Sequence, residues 1–425
     1  MKKRPYRAVP VKNVDVADIR ERLSGQRLVV GVDVAKVDFV ATLMTERGEN
    51  LVTVKWKHPT ETEAFVGLLR EVSATRLEVA LEPTGTYGDA LMHLVSKAGA
   101  EIFLVSAKRA HDAAEVFDGV PSFHDAKSSV LIAKLHLSGV SRPRRVRGDE
   151  ERQLAAALRT MDMYQDQFQS HINRLEAILA THWPEVPQLL GLDSATLLAL
   201  LATFGSPQLV AAESQEACAL MRRTGRNLLR EDKIQAVVCS AQGTVGVPAI
   251  AAESEALMEQ AKDMQRCKEA LCRARGRVEQ LSCAHEATRP LAAVVGKVTA
   301  AVVISEIGDP VQFLAAAIFA KAAGLNLKER SSGKHKGKLK LSKRGSSMAR
   351  KYLYLAAWRL VQRDPVVAAW YERKVERDGG IRNKALVAVM RKLTKALWHV
   401  RKGEPFDSSK LFDVSRLGFA ECEAA

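Results

Sequence analysis

Between Arg27 and Leu137 the chain alternates short β-branched runs with stretches of helical periodicity, and this alternation leaves few folds open. RLVVGVDVA, DFVATLMT and NLVTVKW come first. The helical stretch TEAFVGLLREV, the run LEVALEP, the helix GDALMHLVSKAG, the run EIFLVSA and a last helix around SSVLIAKLHL follow in that order. β-Branched and aromatic side chains suit a pleated surface, whereas apolar residues three and four apart make one face of a helix. The order therefore specifies a mixed α/β sheet with helices on its faces.

Three carboxylates stand at informative places in this pattern. Asp33 lies inside the first apolar run, flanked by Val32 and Val34, where an unpaired charge is costly and a bound cation would explain it. Glu82 sits where LEVAL meets P-T-G-T-Y, at a strand end, the usual location of sites in open α/β sheets. Asp125 precedes the apolar helix beginning near Ser128. Hard divalent cations such as Mg²⁺ or Mn²⁺ take oxygen ligands, and phosphodiester cleavage commonly uses them to stabilise the attacking and leaving oxygens. Each residue also has a plainer role open to it: an ion pair of Asp33 with Lys36, a turn at Glu82, a helix N-cap at Asp125.

Length and charge frame the rest. A chain of 425 residues exceeds one ordinary core, so two or three domains are expected. The net charge of +15 favours a polyanionic partner, with nucleic acid first. No apolar stretch reaches the roughly 20 residues that span a bilayer, and the basic N-terminus lacks the apolar region of a secretory signal. We expect no membrane partner and a cytoplasmic, nucleoid-associated protein. The six cysteines show no C-x-x-C and no histidine pair at zinc spacing, which argues for reduced structural thiols.

The expected domains are a basic extension at 1–26, the α/β domain at 27–140, a linker and helical region at 141–285, and a C-terminal domain at 286–425. In the helical region, Leu154, Leu158, Met161, Phe168, Ile172, Leu175 and Leu179 recur at helical spacing until Trp183-Pro184. Leu257, Met264, Leu271 and Val278 then repeat every seven residues, as in a coiled coil or a helix docked within the chain. Further on, Lys328 to Lys351 contains ten Lys or Arg and one acid, Glu329. Helical patterns resume directly afterwards, so this tract reads as a basic loop within a folded domain, able to lay cations along phosphates. Its candidate nucleic-acid contacts are Lys328, Arg330, Lys334, Lys336, Lys338, Lys340, Lys343, Arg344 and Arg350.

These motifs together resemble the DEDD transposases of bacterial insertion sequences, which include the Piv-type DNA invertases. G-V-D-V-A-K around Asp33 resembles the family's G-[IV]-D-x-[AS]-K, and L-E-P-T-G-T-Y around Glu82 is similar to its E-x-T-G-x-Y. F-A-K-A-A-G-L, then Ser332-Gly333, then S-K-R-G at Ser342 to Gly345, and the late ALVAVMRKLTKALWHVRKGEPFD look like its C-terminal domain. The resemblance implies a ribonuclease-H-like, RuvC-like first domain binding Mg²⁺ (or Mn²⁺) through Asp33, Glu82 and Asp125. It also implies a coiled-coil segment used in homo-oligomerisation, and a mainly α-helical last domain whose nucleophilic serine matches Ser332, with Ser331 as the neighbouring alternative. Donor and target DNA, and a bridge RNA that pairs with both, are the partners it implies.

One departure touches the chemistry. The family's third motif reads D-x-x-D, but here Asp125 is followed three residues later by Ser128, so the fourth carboxylate is missing. Glu115 and Asp118 lie upstream as possible substitutes. Two readings follow: an active recombinase using Asp33, Glu82, Asp125 and Ser332, or a nucleic-acid-binding descendant impaired in cleavage.

Overall fold

The computed structural model describes residues 7–83, 85–117, 119–120, 124–329, 332, 337 and 339–412. They form two compact units, 1–146 and 147–425.

The first unit is built on a seven-stranded sheet. Its elements are β1 (Ala8–Pro10), α1 (Val16–Leu23), β2 (Arg27–Val34), β3 (Asp38–Thr45), β4 (Asn50–Lys57), α2 (Thr62–Val72), β5 (Arg76–Leu81), α3 (Asp89–Lys97), β6 (Glu101–Leu104), α4 (Ala107–Asp112), α5 (Asp125–Leu137) and β7 (Arg142–Pro143). The strand order is β1-β4-β3-β2-β5-β6-β7. β2, β3 and β4 form an antiparallel meander, while β5 and then β6 extend the sheet parallel to β2. Every run and helix expected between Arg27 and Leu137 is present. The basic N-terminal stretch joins the same unit, since β1 pairs with β4 and α1 buries Ile19 and Leu23 in its core.

Alternation along β2 decides which helix covers which face. Leu28, Val30, Val32 and Val34 enter a core with α1, α2 and α3, whereas Val29 packs with Val130 and Ala133 of α5. Successive side chains point to opposite faces of a strand, so Gly31 and Asp33 share the α5 face with Val29. Gly31 is there for space: a Cβ at this position would lie 2.2 Å from the Ser129 carbonyl oxygen and 2.5 Å from the Ala133 nitrogen. Behind this contact the Thr42 hydroxyl bonds Ser129 Oγ at 2.8 Å and Thr53 Oγ1 at 3.0 Å, a buried polar link from the sheet to α5.

The second unit is mainly helical among its described residues. It comprises α6 (Asp149–His182), α7 (Val186–Leu189), α8 (Ala195–Phe204), α9 (Pro207–Ala212), α10 (Ser214–Gly225), α11 (Glu231–Gln242), α12 (Ala251–Ala284), α13 (Arg289–Val295), α14 (Lys297–Val302), α15 (Ala316–Ala322), the ribbon β8 (Leu327–Lys328) and β9 (Lys340–Leu341), α16 (Ser347–Arg363), α17 (Pro365–Arg377) and α18 (Arg382–Arg401). The 34-residue helices α6 and α12 run antiparallel, as Gln260 bonds His171 and Cys267 reaches the Tyr164 carbonyl. The seven-residue repeat is filled from within the chain. Leu257 and Met264 pack with Leu175 and Leu179 of α6, and Val278 packs with Leu154, Leu158 and Met161. Each such side chain contributes roughly 1.5–3 kcal/mol when fully buried. Among the described residues no helix is long and apolar enough to cross a membrane.

Candidate active site

The carboxylates of the first unit meet at the C-terminal edge of its parallel strands. β2 and β5 are aligned so that Val32 stands opposite Leu81, which places Asp33 and Glu82 at neighbouring positions where the two strands end. Both face α5: Ala80 and Glu78, two and four residues before Glu82, contact that helix through Ile132 and His136. The first turn of α5 then brings Asp125 and Ser128 to the same edge. His124, not Asp125, caps this helix, its ring accepting from the Lys127 N–H at 3.2 Å. The capping role open to Asp125 in the sequence is thus filled by its neighbour, and its carboxylate is exposed at the first helical position.

The electrostatics reflect this crowding. Burial pushes the Asp33 carboxyl from its ordinary 3.8 to about 6, and the negative charges of Asp125 and Glu82 push in the same direction. The Val34 N–H and the Ser128 hydroxyl, which donate to the Asp33 carboxylate, act against them. Burial also raises Glu82. Among the described residues no salt bridge reaches Asp33, Glu82 or Asp125, so the ion pair of Asp33 with Lys36 is not formed. Carboxylates that repel one another without a cation favour either a proton or a metal ion.

Three carboxylates and a hydroxyl form a donor set of hard oxygens, the chemistry that Mg²⁺ or Mn²⁺ selects. Among the described residues, however, no group of three or more His, Cys, Asp or Glu side chains is arranged to hold a metal ion. The trio is an acidic neighbourhood rather than a closed coordination shell. Glu115 is exposed on the turn after α4, and Asp118 lies outside the described residues.

The loop carrying the candidate nucleophile belongs to the second unit. Ser332 is exposed between β8 and β9. Arg330, Ser331, Lys334, Lys336 and Lys338 lie outside the described residues. The base of the loop is tightly made. Lys328 and Lys340 stand opposite each other in the ribbon, so two like charges face the same side of the loop base. Below them the Ser342 N–H donates to the Asn326 carbonyl at 2.7 Å, and the Lys343 N–H to the Gly324 carbonyl at 3.1 Å. Gly324 and Gly345 touch through their backbones: a Cβ on Gly345 would lie 2.6 Å from the Ala322 carbonyl and 3.0 Å from the Gly324 nitrogen. Lys343 and Arg344 remain exposed, while Arg350 donates to the Gly345 carbonyl at 2.8 Å and so braces the turn.

Two features escaped the sequence. Lys127, in the turn between Asp125 and Ser128, is only 1% exposed and its ammonium donates to the Val120 carbonyl. Nothing in its spacing distinguishes it from a surface lysine. At the other end of β5, Glu78 is buried and receives Arg27, Arg76 and His136, whose second nitrogen bonds Ser141 Oγ at 2.6 Å. Its partners are scattered from 27 to 141, so only the fold assembles them.

Comparison with known proteins bears on the same residues. Residues 30–184, which include Asp33, Glu82, Asp125 and Ser128, match a family model described as Transposase, of the DEDD type of IS110. Residues 293–372, which include the loop of Ser332, match the Transposase IS116/IS110/IS902 family. A curated relative from Streptomyces coelicolor, named Insertion element IS110 uncharacterized 43.6 kDa protein, is 26% identical over 254 residues. The alignment covers 56% of this chain and 60% of that relative, under two thirds of its length.

Proposed function

Because this chain belongs to the DEDD transposases of the IS116/IS110/IS902 type, we propose that it cleaves and rejoins DNA strands through a covalent serine intermediate. The first unit is the ribonuclease-H-like, RuvC-like nuclease domain of this reading, and its mixed α/β sheet is consistent with that fold. The observation that carries the proposal is the gathering of Asp33, Glu82 and Asp125, from three separate elements, into one neighbourhood of mutual repulsion.

In this mechanism Asp33, Glu82 and Asp125 are the residues that would hold a divalent cation, and the Ser128 hydroxyl orients the Asp33 carboxylate. The cation, when bound, stabilises charge on the phosphate oxygens in the transition state. The Ser332 hydroxyl attacks a DNA phosphorus and gives up its proton, and the departing strand end leaves as a hydroxyl. Attack of a new strand hydroxyl on the phosphoserine linkage restores the serine and completes the exchange. Lys328, Lys340, Lys343 and Arg344 hold the phosphate backbone near the loop. A bridge RNA supplies the choice of donor and target, and copies of the chain assemble through the helical region.

An assay on the element's junction DNA with its flanking RNA tests the proposal directly. Wild type is expected to cleave in Mg²⁺ and to form a protein–DNA adduct that Ser332→Ala does not form. Absence of activity in wild type, with activity in Ser128→Asp, would establish the cleavage-impaired reading instead.

A further inference from the structure

The C-terminal helices enclose a cavity that this mechanism does not use. It has a volume of about 610 Å³ and lies between α17, α18 and the segment 404–411. Arg391, Lys392, Lys395 and Lys410 line it, and none of the four forms a salt bridge among the described residues. Two acids also stand on its wall, each with a hydrogen-bond partner of its own. Glu404 is 2.8 Å from His399, and Asp407 accepts from the Ser409 N–H and hydroxyl at 2.9 and 2.6 Å. Lys374, also on the wall, is tied to Asp378.

The centre of the wall is both aromatic and cationic. The Lys392 ammonium lies over Trp370 at 5.7 Å and over Phe412 at 4.9 Å, and it donates to the Leu411 carbonyl. Burial, and after it the charge of Lys395, hold this ammonium below the usual lysine range. Arg391 spends one N–H on the Leu325 carbonyl at 2.9 Å. A lysine has three donors and an arginine five, so both keep donors for a ligand. Clustered cations that outnumber the two carboxylates of the wall, form no salt bridge with them and keep spare donors call for an anion with several acceptor oxygens, and Trp370 and Phe406 offer it apolar surface.

We propose that this cavity is a second nucleic-acid site, which takes one unpaired nucleotide of a strand. The phosphate lies among Arg391, Lys392, Lys395 and Lys410, and the base lies against Trp370 and Phe406. The volume is within the usual range for a small-ligand pocket and far too small for a duplex, so the nucleotide entering it is splayed from its strand. The proposal does not depend on the cleavage chemistry.

The test is binding of the full chain to a fluorescent single-stranded oligonucleotide, DNA and RNA in turn, across a salt series. Lys395→Glu/Lys410→Glu changes two exposed side chains and is checked for folding by its thermal melt. We expect its single-strand affinity to fall about tenfold or more, with a shallower salt dependence, since each phosphate contact to a single strand adds about 0.7 to the log–log slope. Lys233→Glu/Lys297→Glu, which makes the same charge change elsewhere in this unit, is expected to lose far less. Competition by AMP in wild type and not in the variant extends the same site to free nucleotides. Unchanged affinity and slope in Lys395→Glu/Lys410→Glu, or an equal loss in both double variants, would overturn the proposal while leaving the cleavage assay to stand on its own.

Discussion

Gly31 and Ser129 are in backbone contact: any side chain at position 31 begins 2.2 Å from the Ser129 carbonyl oxygen. This contact seats α5 on β2, two residues from Asp33 on the strand and one from Ser128 on the helix. Gly31→Ala is therefore expected to push the first turn of α5 off the sheet. Overpacking of this kind costs about 1–3 kcal/mol, and here backbone must move rather than a flexible side chain. A lower thermal midpoint together with weaker Mn²⁺ binding is the expected result. An unchanged midpoint and unchanged Mn²⁺ binding would show that this contact does not position the site.

Ser128 gives a second prediction. Its hydroxyl now donates to Asp33, whereas an aspartate there would accept only and would add a fourth negative charge. Without metal, Ser128→Asp is expected to be less stable than wild type, and Mn²⁺ is expected to reverse that order. Calorimetry should show about tenfold tighter binding in Ser128→Asp, equivalent to about 1.4 kcal/mol. Equal affinity in the two proteins would mean that position 128 lies outside the metal's reach.

Glu78 provides a pH dependence away from the site. Burial pushes its carboxyl up, but hydrogen bonds from His136 and Arg27, and the charges of both, outweigh this and hold it below the ordinary 4.5. The folded state thus binds this proton more weakly than the unfolded chain, so the stabilisation is present above pH 4.5 and is lost as pH falls below it. Glu78→Gln is expected to cost on the order of 2 kcal/mol at pH 7, less than a fully buried pair because Arg27 is one third exposed. The gap between the two proteins should narrow as urea melts are repeated from pH 7 towards pH 3. A gap independent of pH would remove the charge from the explanation.

The glycine contact beneath the serine loop can be tested in the same way. Gly345→Ala places a Cβ 2.6 Å from the Ala322 carbonyl, so the turns that close the ribbon must separate. Adduct formation by Ser332 is expected to fall at least tenfold, with a loss of stability of roughly 1–3 kcal/mol. Full adduct formation in Gly345→Ala would show that the loop base does not set the serine's position.

The α/β order was legible from Arg27 to Leu137 because each element is short, strongly patterned and bounded by turn residues. Asp33 and Glu82 were legible for the same reason, as charges at the ends of apolar strands. β1 and β7 were not, since three and two residues carry no period and their pairing is decided by the sheet they join. His124 displaced Asp125 as the helix cap because the ring nitrogen reaches the Lys127 N–H, a geometry that spacing cannot distinguish. The heptad of Leu257 to Val278 was visible, but its partner helix lies some hundred residues earlier in sequence. The Glu78 network and the cavity of Lys392 join residues far apart in the chain, where no local pattern can announce them.

The most direct measurement is titration of wild type, Asp33→Asn, Glu82→Gln and Asp125→Asn with Mn²⁺, followed by electron paramagnetic resonance and calorimetry. If the three carboxylates form one metal site, wild type binds saturably and each variant loses at least tenfold in affinity, while the fold persists. Equal Mn²⁺ affinity in all four proteins would contradict the account.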